Sequence, residues 1–382
     1  MRLLAVYSSG DLLGGGEFSF TLSVQAIQQS GWKVLAMVPR TGRLSEYLSA
    51  KAIPFTVAPQ ETLRTGLSVR YLWQPHPEWL SITRDYRPDI IHCNSVRAAL
   101  YGQAVGHRLS IPAIFHARIT QPGRLVDPFL MRRTQAVICT SEAVRARFLR
   151  WIDSKKVFVL PNSIDPEFPL APNVRSIELR SQWLGDSGKR IVGVIGRLSP
   201  DKGPALIIEA ARYIVKEAPY ARFVLIGEED PSHRGYAAAL KSAVASSGLD
   251  SYFVFAGFHA PAGDACQALD IVAFPTAAEG FGRVAIEAGV ARKALVATDI
   301  PGLREIVPPT LANILLPRDA RSFARRIIEL LQNEAERAMV SGTLHDHVMK
   351  EFGFQKHRVR LLEIYGQVLR RRTLSPRERA GA

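Results

Sequence analysis

The sequence predicts an α/β protein built from two doubly wound domains, each a parallel sheet covered by helices. Three observations carry the prediction. Short apolar runs alternate with longer helical patterns along the chain, the runs fall into two series, and a stretch rich in Pro, Asn and Ser separates the series. At 382 residues the chain also exceeds one ordinary core.

In the first series, LLAVY (3–7), KVLAMV (33–38), DIIH (89–92), AIFH (113–116), AVIC (136–139) and VFVL (157–160) read as strands. Such runs have the length and near-continuous apolarity of strands buried on both faces. Helical patterns at Phe18–Ser30, Val96–Arg108 and Ser141–Trp151 lie between them. The second series is IVGVIG (191–196), FVLIG (223–227), FVFAG (253–257), IVAFP (271–275), ALVAT (294–298) and NILL (313–316). The stretch from 161 to 189 is poor in pattern and reads as a connection. The expected division is an N-terminal domain over 1–165, a linker over 166–189 and a C-terminal domain over 190–352. A C-terminal helix and basic tail follow over 353–382, able to pack back on the N-terminal domain. The helix itself is expected over about Gln355–Arg371. Ligands of doubly wound sheets bind at the carboxyl ends of the strands, so both domains are expected to face a central cleft.

A composition of 47% hydrophobic and 22% charged residues describes a globular chain. Cys93, Cys139 and Cys266 are scattered, without a C-x-x-C pair or zinc spacing, which fits a reducing compartment. With no signal-like start and no stretch long enough to span a bilayer, the expected location is cytoplasmic, extending to the inner face of the cytoplasmic membrane. The net charge of +14 is uneven. Residues 1–160 carry 20 basic and 10 acidic side chains, and Arg97 to Lys156 alone carries eleven basic residues against three acids. An anionic partner is expected there: lipid head groups or a phosphate-bearing substrate. Nucleic acid is not expected, because no zinc-finger spacing, RNP-like motif or aromatic interleaving accompanies the charge.

Several motifs bear chemistry. After IVGVIG, the loop RLSPDKG sets Arg197 and Lys202 at a strand's carboxyl end just before a helix, a combination suited to a diphosphate. Two solvated loop cations are the alternative. Gly14, Gly15 and Gly16 precede a helix after the first strand, where a backbone without Cβ can approach a ligand. A dinucleotide fingerprint fails at Ser19 and at the end of the second strand, and no Walker lysine motif occurs. His92 and His116 end strands at the edge expected to face a ligand, where an imidazole can bond a sugar hydroxyl or handle a proton; a structural histidine is the alternative. His345 and His347 are two apart on a helix and so do not form a metal pair. No D-x-D is present to hold a divalent ion. In AEGFGRVAIEAG, Glu279 falls in a loop at a strand end and Glu287 lies more than one turn into the next helix among apolar neighbours. Both carboxylates suit hydroxyl recognition, and a pair between Arg283 and Glu287 is the alternative.

GGGE (14–17), VLPNSID (159–165), GRLSPDKG (196–203), AGF (256–258), PTAAEGFGRVAIEAG (275–289) and LVATDIPGLREIV (295–307), in this order, resemble a family 4 glycosyltransferase of the GT-B type over nearly the whole chain. The resemblance implies two doubly wound Rossmann-like domains and retaining transfer from a nucleotide-sugar to a glycan or lipid-linked acceptor, without cofactor or essential metal. By that likeness Arg197 and Lys202 bind the diphosphate, Glu279 the sugar hydroxyls and Glu287 the ribose. The amides of Gly280, Phe281 and Gly282 approach sugar and phosphate. Gly15 and Gly16 bring the N-terminal loop against the donor, Phe258 lies by the base, and His116 sits near the reacting face of the sugar. The family's acceptor domain is the N-terminal one, and its members often build surface polysaccharide or lipopolysaccharide at membranes. An epimerase or phosphorylase-like enzyme of the same fold, or a binding protein without turnover, are the alternatives. Ser163 replaces the usual glycine of an Asn-Gly turn, and Pro301 stands where a paired glycine is common.

Overall fold

The computed structural model of the chain describes residues 1–10, 14–61, 74–121, 123, 126–184, 188–260 and 262–373. Two compact units divide the chain, Met1–Ser163 with Phe354–Ala382, and Ile164–Gly353.

The first unit holds a seven-stranded sheet of β1 (Arg2–Val6), β2 (Lys33–Val38), β3 (Phe55–Val57), β4 (Ile90–Cys93), β5 (Ala113–Ala117), β6 (Ala136–Cys139) and β7 (Val157–Val159), in the order β3-β2-β1-β4-β5-β6-β7. All its pairings are parallel. The second unit holds β8 (Arg190–Ile195), β9 (Ala221–Ile226), β10 (Phe253–Gly257), β11 (Ile271–Phe274), β12 (Ala294–Thr298) and β13 (Leu315–Leu316), in the order β10-β9-β8-β11-β12-β13, again all parallel. In each sheet the winding reverses once, between β1 and β4 and between β8 and β11. Loops leaving the carboxyl ends of those strands diverge to opposite faces and leave room for a ligand.

Side-chain alternation builds the first unit's two cores. Leu4, Val6, Ile91, Cys93, Phe115 and Val137 point to one face, and Leu3, Ala5, Ile90, Ile114, Ala136 and Ile138 to the other. The second face is closed by the helices Gly15–Gln28 and Phe354–Thr373, the latter contributing Leu361, Ile364, Tyr365 and Val368. Sequence from the far end of the chain thus completes the first unit's core.

Three elements differ from expectation. The edge strand β3 was not foreseen, since three residues behind Pro54 carry no period. The pattern at Ser141–Trp151 forms helix only over Glu142–Arg145 and continues as turns. Residues 166–189, expected as a linker, contain the helix Val174–Leu184, which buries Leu179, Trp183 and Leu184 in the second unit's core. The basic tail beyond residue 373 and residues 185–187 lie outside the described residues. No described helix is long and apolar enough to cross a membrane.

Candidate functional site

In the second unit the winding reversal brings together the loops that follow β8 and β11. The Ala277 amide donates to the Asp201 carbonyl at 2.7 Å, and the Lys202 amide donates to the Ser199 carbonyl at 3.1 Å. Arg318 bridges the loops, donating from Nε to the Pro275 carbonyl at 2.9 Å and from Nη2 to the Pro200 carbonyl at 3.0 Å. Gly203, at φ +73°, begins the helix Pro204–Glu217; a Cβ there would stand 2.3 Å from the Pro275 carbonyl oxygen. Only glycine satisfies both the left-handed backbone and the close approach.

The two loops set cation against carboxylate. Lys202 Nζ bonds Glu279 Oε1, with both side chains 18% exposed. Removing one member of so enclosed a pair strands the other charge. Arg197, half exposed, donates to Asp230 at 2.5 Å. Burial works against the Asp230 charge, yet the Ser232 amide at 2.9 Å and Arg197 together hold its carboxyl below the usual range. Gly282, at φ +97°, precedes the helix Arg283–Val290, whose first turn has no side-chain cap. Glu287 accepts from Arg283 at 2.9 and 3.2 Å, the pairing that spacing offered as the alternative. Gly280 is buried beside Glu279, and a Cβ on Gly302 would stand 2.7 Å from the Glu279 carbonyl oxygen. Phe281 is buried against Phe352, ring centroids 5.5 Å apart, so its amide and not its ring is the group a ligand can meet. Phe258 directly follows β10 and is 37% exposed.

The remaining candidates lie in the first unit. Gly15 and Gly16 open the helix Gly15–Gln28, and the Glu17 carboxylate accepts the Gly14 amide at 3.1 Å. His116 lies in β5, buried, with Nδ1 3.1 Å from His92 Nε2. Burial, reinforced by Arg118, His92 and His357, holds His116 well below the ordinary histidine range. His92 is held down to about 3 by burial, Arg118 and His357. Arg118 spans three strand ends, donating to Asn94 at 3.0 Å and Asn162 at 2.8 Å and lying 3.5 Å from His116. His345 bonds the Gly289 carbonyl and His347 packs on Phe352, so the two histidines have separate tasks.

Sequence reasoning missed Asp230, Arg318, Arg118 and Tyr365. Asp230 stands in EED right after a strand end, a signal available but unused. Arg318 and Tyr365 act across 43 and 273 residues and carry no local mark.

The chain matches the model of Glycosyltransferase Family 4 over residues 13–168 and that of Glycosyl transferases group 1 over residues 189–333. It is 25% identical over 245 residues to the lipopolysaccharide core biosynthesis mannosyltransferase LpsB of Rhizobium meliloti, covering 63% of this chain and 68% of that one. It is 27% identical over 335 residues to the 2-deoxystreptamine N-acetyl-D-glucosaminyltransferase of Streptomyces fradiae, covering 75% and 78%. Its fold is similar to the crystal structure of Anabaena Alr3699/HepE in complex with UDP and glucose, with TM-score 0.84 at 22% identity over 96% of this chain and 99% of that one.

Proposed function

The chain belongs to the family 4 glycosyltransferases, and from that premise we propose that it is a retaining enzyme moving a sugar from a nucleotide-sugar to a glycan or lipid-linked acceptor. The observation that carries this reading is the Lys202–Glu279 pair, held where the loops after β8 and β11 meet. A cation adjoining a carboxylate at that position matches a sugar diphosphate: phosphate oxygens on Lys202 and Arg197, sugar hydroxyls on Glu279. The uncapped turn at Gly282 supplies amides and a helix dipole to the same anion. Glu287 takes the ribose hydroxyls, sharing its charge with Arg283.

In the transfer the bond from the sugar's anomeric carbon to the diphosphate oxygen breaks, and a bond to the acceptor oxygen forms on the same face. The acceptor's hydroxyl proton passes to the departing phosphate oxygen. Arg197 and Lys202 stabilise the charge that develops on the diphosphate, the task a metal performs elsewhere, so no metal or cofactor is proposed. No general base is assigned.

Surface polysaccharide or lipopolysaccharide assembly at the inner face of the cytoplasmic membrane is the proposed setting, supported by the lipopolysaccharide core mannosyltransferase among the relatives. On the first unit Leu149 and Trp151 are 45% and 38% exposed beside Arg150, which stacks on Trp151 at 4.8 Å, and Lys155. Apolar side chains among cations suit an anionic lipid surface.

A thermal-shift titration of wild type and Glu287→Ala with UDP, GDP, ADP and NAD tests the donor site, since a ligand of the folded state raises the midpoint. One nucleoside diphosphate is expected to shift wild type and to lose its effect in the variant. Sugar transfer should then proceed from the matching nucleotide-sugar with the anomeric configuration kept and with EDTA present. A response to NAD alone, an inverted product or abolition by EDTA would each contradict the reading.

A further inference from the structure

The face of the first sheet that packs on the helix Phe354–Thr373 is apolar along β4 and β5 except at His92 and His116. The register pairs His92 with Ile114, so His116 lies diagonally beyond it on the neighbouring strand. The two rings lie 12° from parallel with centroids 5.2 Å apart and His92 Nε2 3.1 Å from His116 Nδ1. From the covering helix, the Tyr365 hydroxyl reaches His92 Nδ1 at 2.5 Å. All three side chains are at most 2% exposed.

The direction of each hydrogen bond follows from what the groups can do. A guanidinium only donates, and Arg118 Nη2 lies 3.5 Å from His116 Nδ1, so that nitrogen presents a lone pair. His92 Nε2–H then donates to it. His92 Nδ1 is in turn bare and accepts the Tyr365 hydroxyl proton. The reverse order would turn an N–H of His116 toward Arg118 and leave the buried phenol hydrogen without an acceptor among the described residues. With Nδ1 bare, neutral His116 carries its proton on Nε2, a buried atom with no partner among the described residues. An oriented donor left unpaired in the interior gains by meeting an oxygen.

We propose that Tyr365 and His92 are positioning residues that lock neutral His116 in its Nε2–H form, so that it offers an oxygen of a ligand at the carboxyl end of the first sheet a hydrogen-bond donor and not a base. The ligand half of this statement rests on the glycosyl-transfer reading; the lock rests on the hydrogen-bond chain alone. In effect the C-terminal helix sets the tautomer of a histidine about 250 residues earlier in the sequence.

Histidine-selective nitrogen-15 labelling of the full chain, with long-range proton–nitrogen correlation and His116→Gln and His92→Gln for assignment, reads the tautomer directly. Wild type should show Nδ1 bare and Nε2 protonated in both rings. Protonation of His116 on Nδ1 would overturn the lock, whatever the activity. Tyr365→Phe removes one hydroxyl and should give mixed tautomers and a kcat about tenfold lower, with the Kd for the nucleoside diphosphate unchanged. A variant that keeps both the wild-type tautomer and the wild-type kcat would remove Tyr365 from the chain of causes. The expected tautomer in a wild type that transfers no sugar would sink the glycosyl-transfer reading and the ligand half of this one, leaving the lock in place.

Discussion

At the scale of single residues, the charged groups of the second unit hold one another in place. Lys202 and Glu279 are mutually enclosed, as are Arg283 and Glu287, and Arg197 leans on Asp230. A ligand that engages these groups therefore meets side chains already oriented, which lowers the ordering cost of binding. Glu279→Gln keeps the shape and hydrogen-bonding reach of the side chain while removing its charge. Transfer should fall roughly 100-fold, and the melting temperature should drop as well, because Lys202 loses its enclosed counter-charge. Steady-state kinetics beside calorimetry would check this, and a fully active variant would take Glu279 out of the site. Spacing foresaw the Arg283–Glu287 pair because four residues are one helical turn. The bond between Lys202 and Glu279 spans 77 residues and follows only from the winding of the sheet.

At the scale of elements, the loops after β8 and β11 hold their shape through backbone contacts that tolerate little change. Gly203 combines a left-handed φ with a carbonyl lying where a Cβ would go. Gly203→Ala should cost about 1–2 kcal/mol from the backbone conformation alone, and more from the displaced Pro275 carbonyl. The expected readout is a lower melting temperature and a weaker Kd for the nucleoside diphosphate; an unchanged variant would mean that the loop approach is loose. Most strands were legible as apolar runs. The three-residue β3 was not, because an edge strand so short has neither period nor flanking repeat. The helix Val174–Leu184 was hidden by the Pro-rich residues around it and by exposed Val174 and Ile177, although Leu179 and Trp183 at a spacing of four were a usable sign.

At the scale of the whole molecule, the first unit should be acid-sensitive. Burial, with Arg118, holds His357 down to about 4 despite its bond to the Pro161 carbonyl, and His92 and His116 are held down as described above. In the unfolded chain these imidazoles take up protons near the ordinary histidine value of 6.5. Between pH 6.5 and about 4 the unfolded state thus binds more protons, and stability falls as pH falls. The slope reaches roughly 1.4 kcal/mol per pH unit for each histidine. Scanning calorimetry should show the midpoint dropping across this window, and less steeply in His357→Gln; a flat midpoint would contradict the neutral cluster. The exposed Leu149 and Trp151 among cations lead to a second expectation, pelleting with phosphatidylglycerol vesicles and not with phosphatidylcholine at moderate salt. Equal recovery with both would remove the membrane contact. Which segments become strands, where glycine-rich loops precede helices and where basic residues concentrate were all readable along the chain, because burial and turn chemistry are written in neighbouring residues. That Arg318 ties two loops together, that Lys202 meets Glu279 and that Tyr365 reaches His92 was not, because such contacts arise from strand order and helix placement, which leave no periodicity in the residues that make them.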